Sequence, residues 1–532
     1  MGNSSKRAAL LQYSTCRVRL PSRCYTLCLA LLLLPSLGFA QLNHVEAAAR
    51  LLSQGQTDQA EAEARQALGN SSTRALALAM LGTIRLQEGK YKESASFLTE
   101  ALTLDPRLVG ARTTLGNAYV FQGKPSLARR SFQEALRLDP GNFNARLGLA
   151  KLETSLHNYQ QSLDLAGPIV SQLCESDDGI LLLATDYGSL GRKEELKGLV
   201  SPWQQLAAPS DESSLEFGNI LTMFGMNPEA KQVLEAEETK ITEHPSPTLA
   251  FKLGKSYLSL GVLERAEQNF QLALSLNPGC AACDQSLAEI AKREGNTEKA
   301  LAYLITAKQQ DPENPEILFE FGKVCLQRNL LEDALPALTK AVALKPDQDP
   351  YVYVLASANV AQGNLSKAAS LLARLLQKHP HDAVLKYATG AVDYLQGKYT
   401  EAESLLKQSL QAQPDQVAAS YYLGLTYDAV GQDDRAVGVF RELLRSHPEH
   451  APSYVRRGSI LLRQHHYEEA QQDLERAILL DPGSVQAHYQ LGLLLRRLGR
   501  TAESENQFAE SRKLESERSS QTDLRLRLLL PD

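Results

Sequence analysis

Residues 417–450, VAASYYLGLTYDAVGQDDRAVGVFRELLRSHPEH, carry Gly424, Tyr427, Gly431, Ala436, Phe440 and Pro448 at intervals that return along the chain. Thirty-four residues earlier stand Gly390, Gly397, Ala402 and Pro414, and thirty-four later stand Gly458, Ala470 and Pro482. A period held this closely marks an internal repeat, so one continuous array replaces the several domains that 532 residues would otherwise suggest. The interior holds no Pro/Gly/Ser-rich tract long enough to serve as a linker.

Each unit reads as two helices. In residues 315–348, PEILFEFGKVCLQRNLLEDALPALTKAVALKPDQ, apolar residues return every three or four positions on both sides of a turn expected at Asn329 to Leu331. Pro346 closes the second helix, because the residue before a proline is pushed out of the helical region. Gly82, Gly116, Gly254, Gly322, Gly390, Gly424, Gly458 and Gly492 share one phase of the first helix, with Ala288 and Ala356 at the same phase. They are expected where the two helices touch: a larger side chain would part them, whereas glycine costs only about 1 kcal/mol of helix propensity.

The first forty residues differ from the rest. Lys6, Arg7, Arg17, Arg19 and Arg23 precede the apolar run YTLCLALLLLPSLGFA, and Gly38 and Ala40 stand just before Gln41. A basic leader, a short apolar core and a small-x-small end predict a secretory signal over 1–40, with an uncleaved anchor as the alternative. Those five basic residues have no acidic counterpart, so without them the formal charge of -6 becomes -11. Such a charge favours solubility and argues against a nucleic-acid partner. Beyond the leader only Cys174, Cys280, Cys283 and Cys325 remain, too few for a disulfide framework.

The pattern resembles the tetratricopeptide repeat, carried here by Tyr421, Leu423, Gly424, Tyr427, Ala436, Phe440 and Pro448 and again by Leu253, Gly254, Tyr257, Ala266, Phe270, Ala273 and Pro278. The resemblance implies an all-α fold, a right-handed α-solenoid superhelix of helix-turn-helix repeats whose first helices line a concave face. About 13–14 units would fill 41–518, with a degenerate stretch over 143–246 and a cap or tail at 519–532. Within the degenerate stretch Cys174 occupies a closing-proline position, yet Ala184, Tyr187 and Gly191 keep the signature spacing.

Motifs that suggest chemistry have simpler explanations. The Gly-Lys pairs at 89–90, 123–124 and 397–398 lack the glycine spacing and the following Ser or Thr of a phosphate loop and read as turns between helices. Cys280-Ala-Ala-Cys283 has no second CxxC or nearby histidine to complete a zinc site, and no strand before it. Structural cysteines, a local disulfide and a redox pair remain the readings there. His465 and His466 are adjacent and face different directions, which suits turn roles better than joint ligation. No catalytic, cofactor or metal residues are assigned, and the chain is expected not to be an enzyme.

Two sets of residues are candidates for binding. Phe251, Phe319, Tyr353, Tyr387, Tyr421 and Tyr489 share one phase of the first helix, which by the family resemblance points into the groove. Aromatic side chains there would offer a partner broad contact area, or would pack against neighbouring first helices. Arg456, Arg463, Arg496 and Arg497 form a candidate basic patch for a carboxylate-bearing ligand. The Lys/Asn/Lys/Arg clamp of the family's chaperone-tail binders is not reproduced, because Val455 and Ser459 stand at clamp phases. The expected function is a non-enzymatic interaction scaffold, exported to a periplasmic or secreted location and binding a protein or peptide. Alternatives are an accessory role in polysaccharide export or envelope assembly, and an enzyme with its site in the degenerate stretch.

Overall fold

The computed structural model of the chain describes residues 39–517. The leader and apolar run that carry the export reading, and the 519–532 segment, lie outside the described residues. Every element among the described residues is helical. Contacts divide the chain into two compact units, 1–262 and 263–532. Within each, antiparallel helix pairs stack in chain order, most second helices packing on the first helix of the next pair, as in a solenoid.

The pair Pro315–Gln327 and Leu331–Leu344 shows how sequence sets the element. The Asn314 side chain accepts hydrogen bonds from the backbone N–H groups of Glu316 and Ile317 at 3.1 and 3.3 Å, and Pro315 opens the first turn where no N–H is needed. Asn329 turns the chain at φ 58°. Most other units use glycine in that left-handed position, where a Cβ is penalised, and His157 and His465 are the remaining exceptions. Each of those rings bonds through Nδ1 to a tyrosine hydroxyl two residues on, Tyr159 and Tyr467, at 2.8 Å.

The phase of small residues is a contact requirement. A Cβ on Gly322 would sit 2.5 Å from Leu338 Cγ, one on Gly116 2.5 Å from the Phe132 ring, and one on Gly424 2.6 Å from the Phe440 ring. The second helix therefore lays a Leu or Phe directly on the first helix's backbone.

In the N-terminal unit the pairs shorten where the signature weakens. Tyr159–Ala166 gives way to a 3₁₀ turn at Gly167–Ile169 and a short helix Val170–Leu173. The next second helix is split into Lys193–Gly198 and Val200–Gln205. Pro168 and Pro202 enter at these breaks, and proline cannot donate to the helical ladder. Leu163, Leu173, Ile180, Leu183, Leu196 and Phe217 nevertheless form one core, and Trp203 stacks on Phe217 at 4.6 Å.

The C-terminal unit holds a continuous core from Ala288 to Leu495. Two of its first helices have no polar face. Asp349–Ala361 is buried from Tyr351 through Val360, and Val417–Ala429 from Tyr421 through Tyr427. A helix apolar on all sides must be covered on all sides, and adjacent first helices supply part of that cover.

Candidate interaction face of the first helices

The aromatic phase is present in the fold but is not a uniform exposed surface. Tyr353, Tyr387 and Tyr421 are only 8%, 4% and 4% exposed. Each ring lies among neighbouring helices, as in the packing alternative for this phase. Tyr387 lies 6.2 Å from the Tyr422 ring; Tyr421 meets Tyr422, Phe440 and His450 at 6.1, 6.0 and 5.3 Å. Burial pushes all three phenols above the ordinary tyrosine range. Phe319 is half-buried and stacks on Tyr351 at 4.2 Å, and Phe251, in the N-terminal unit, is also half-buried. Tyr489 alone of the set is open, 46% exposed, with its ring 5.7 Å from Phe508.

The arginines also divide. Arg463 gives Nη2 to Asp428 Oδ1 at 2.6 Å and to Asp433 Oδ1 at 2.7 Å, so its charge is already answered. Arg457 holds Asp473 through two bonds of 2.6 and 2.7 Å. Arg496 and Arg497 are exposed, the latter reaching the Leu462 carbonyl at 3.4 Å. Of the four arginines of the expected basic patch, Arg463 is paired, Arg496 and Arg497 are exposed, and Arg456 differs from all three. Arg456 is half-buried beside Tyr421 and Tyr394 and makes no ion pair within 4 Å among the described residues. Burial opposes its charge, but attraction to and a hydrogen bond with Tyr421, followed by attraction to Tyr394 and Asp428, hold its pKa above the ordinary arginine value.

Tyr421 and Tyr394 lie beside Arg456, and ring contacts extend this cluster through Tyr422 to Tyr387 and from Tyr421 to His450. The buried Tyr387 hydroxyl has no hydrogen-bond partner among the described residues. Burial, with nearby His447 adding to it, lowers His450 to about 4, so it is neutral at physiological pH. Its Nδ1 bonds Ser453 Oγ at 2.7 Å. Tyr394 and Tyr422 lie off the 34-residue phase, so the phase argument missed them; for Tyr422 the signal that could have found it was the lack of any polar face in VAASYYLGLTYDA.

The cysteines 280 and 283 are joined as a disulfide, the local pairing among the readings open for them, while Cys174 and Cys325 are free. Among the described residues no three or more His, Cys, Asp or Glu side chains gather as a metal site. No described helix is long and apolar enough to cross a membrane.

Stacked helix pairs with a small-residue seam define a helical-repeat scaffold. Two family models, both described as tetratricopeptide repeat, match it, one at residues 45–108, 113–166, 251–315 and 455–513 and the other at 291–358, 325–391 and 394–456. These matches span well over half of the sequence, and the chain belongs to the tetratricopeptide-repeat family, whose arrays are non-catalytic interaction scaffolds. Among curated proteins it is 23% identical over 292 residues to Protein CTR9 homolog of Arabidopsis thaliana, covering 52% of this chain and 26% of that protein. It is 23% identical over 217 residues to Tetratricopeptide repeat protein 8 of Caenorhabditis elegans, covering 40% of this chain and 42% of that protein. The chain thus spans less than half the length of either relative. Among solved structures, a tetratricopeptide repeat protein from Parabacteroides merdae is similar with TM-score 0.41 and 19% identity, over 47% of this chain and 98% of that one. Cut9 with Hcn1 is similar with TM-score 0.41 and 14% identity, over 93% of this chain and 97% of that one.

Proposed function

We propose that this scaffold holds an acidic peptide segment of a protein partner against the first helices of its C-terminal unit, with Arg456 receiving a carboxylate. One observation carries the reading: Arg457, Arg463 and Arg500 each hold a carboxylate of the chain itself, and Arg456 does not. A half-buried guanidinium has lost part of its hydration without gaining an ion pair, so an incoming carboxylate finds a charge that costs little further to desolvate. The unpartnered Tyr387 hydroxyl adds a second polar group in the same aromatic cluster. The basic leader and apolar run support placing this scaffold outside the cytoplasm, which N-terminal sequencing of the native protein would test by a start at Gln41.

The binding test is selection from a random displayed-peptide library against the full chain, followed by titration of the recovered peptides. Asp- or Glu-containing peptides are expected, and Arg456→Gln is expected to weaken them about 30-fold or more, the loss of roughly 2 kcal/mol for one desolvated charge pair. Tyr387→Phe should weaken them less while leaving the helical circular dichroism unchanged. Recovery of peptides without acidic residues, or equal binding by Arg456→Gln, would remove the basis of the reading.

A further inference from the structure

Arg456 and Arg463 stand seven residues apart on the helix Ala451–Arg463, so they leave the same side of it about 10 Å apart along its axis. The neighbouring first helix, Val417–Ala429, repeats that spacing with Tyr421 and Asp428. Tyr421 is hydrogen-bonded to Arg456, and Asp428 Oδ1 accepts from Arg463 Nη2 at 2.6 Å, so two rungs join the two helices. The first rung, among the described residues, holds a guanidinium without an ion pair.

The second rung has the opposite balance. Arg463 Nη2 also donates to Asp433 Oδ1 at 2.7 Å, and Asp434, next in the chain, accepts from the Gln464 side-chain amide at 2.9 Å. Three carboxylates thus meet one bridging guanidinium and a neutral amide. Arg435 is turned to Glu403 at 2.9 Å, while Arg497 reaches the Leu462 carbonyl at 3.4 Å and brings one more positive charge to this end of the helix. With Arg497 counted, three carboxylates face two guanidinium groups, and the rung keeps a net negative charge. Arg463 is half exposed and Asp428 and Asp433 are partly exposed, so a ligand can reach the rung.

Resting on the acidic-segment reading above, we infer that Arg463 determines the charge order this site selects: a partner segment with its acidic residue on Arg456 and a Lys or Arg about 10 Å further along, at Asp433 and Asp434. In an extended segment that distance is about three residues. A second acid at that place meets the uncancelled carboxylate and is repelled, whereas a base answers it and leaves the bond between Arg463 and Asp428 intact. Arg463 keeps this discrimination moderate, because it already cancels part of the charge that the base would answer. Removing it would bare the carboxylates and sharpen both the rejection of acids and the preference for a base. Arg463 is thus a specificity-determining residue of the site, while Arg456 is the receiver of the carboxylate.

The test selects peptides from a random displayed library on the full wild-type chain, on Arg463→Gln and on Asp433→Asn, and compares the residues found three positions from the acid. On the wild type, Lys and Arg should be enriched there and Asp and Glu depleted. A recovered peptide remade with alanine in place of that base should bind about fivefold more weakly, the scale of a partly exposed ion pair, and the difference should fade at high salt. Arg463→Gln should widen the difference to roughly 25-fold, by doubling the net charge of the rung, and Asp433→Asn should abolish it while the acid is still required. Acidic peptides with no charge bias at that spacing, or a bias that neither variant changes, would overturn the inference and leave the reading of Arg456 standing. Peptides without acidic residues would overturn that reading and this inference together. Asp433→Asn removes one partly exposed carboxylate, so the measurement stands even where Arg463→Gln fails to fold.

Discussion

Glycine-to-alanine substitutions at Gly179 and Gly438 should move stability in opposite directions although both lie inside helices. At Gly438, within Asp433–Ser446, an added Cβ meets nothing within 4 Å. Alanine there should stabilise by about 1 kcal/mol, the difference in helix propensity and unfolded-chain freedom. At Gly179, within Asp177–Ser189, the same atom would stand 2.2 Å from the Leu173 carbonyl oxygen and 2.7 Å from its Cα. Those are backbone atoms and cannot swing aside, so the short helix Val170–Leu173 must move as a body. Overpacking of this kind costs about 3 kcal/mol at its upper range, leaving roughly 2 kcal/mol of destabilisation after the propensity gain. Thermal unfolding followed by circular dichroism should show Gly179→Ala lowering its transition by about 2–4 °C and Gly438→Ala raising its own by about 1–2 °C. Equal shifts, or a rise for Gly179→Ala, would refute the claim that the close approach of the Leu173 backbone fixes glycine at this position.

Two buried acids in neighbouring repeats should give opposite pH slopes. Burial raises Asp186 from 3.8 to about 6, against the hydrogen bond its Oδ1 accepts from Thr154 Oγ1 at 2.7 Å. Its folded form binds the proton more tightly than its unfolded form, so stability falls as pH rises from about 4 to 6 and stays reduced above. Asp186→Asn should flatten that slope and stabilise the chain above pH 6 by at most roughly 3 kcal/mol, read from urea melts across pH. Glu153 is fully buried and held by Arg129 through bonds of 2.6 and 2.7 Å, and that pairing lowers its carboxyl below the ordinary range. Its contribution is present above the unfolded glutamate pKa and is lost as pH falls through the folded value. Arg129→Met should therefore cost about 3 kcal/mol at pH 7, and the cost should shrink in acid as Glu153 takes a proton. A pH-independent cost in the same urea melts would show that Arg129 acts through packing.

The helix pairs were legible because their causes are local. Apolar residues every three or four positions, a left-handed turn residue and a proline after most second helices all act within about 34 residues. The seam glycines could be read for the same reason, since Gly424 and Phe440 face each other inside one pair. The helical breaks in the central stretch were less legible, although Pro168 and Pro202 stood in the sequence, because their spacing does not repeat. For the candidate site, the sequence located the aromatic phase and the arginines but not their exposure or their partners.

By itself, then, the sequence determined the element type, the period, the seam and the family resemblance. Only the tertiary structure decided that Tyr353, Tyr387 and Tyr421 are buried while Tyr489 is open. It likewise decided that Arg463 is taken by Asp428, 35 residues away, and Arg457 by Asp473, 16 residues away, while Arg456 has no ion pair among the described residues. Capping and periodicity act over one or two turns of chain, whereas burial and charge pairing depend on how one helix pair lies against the next.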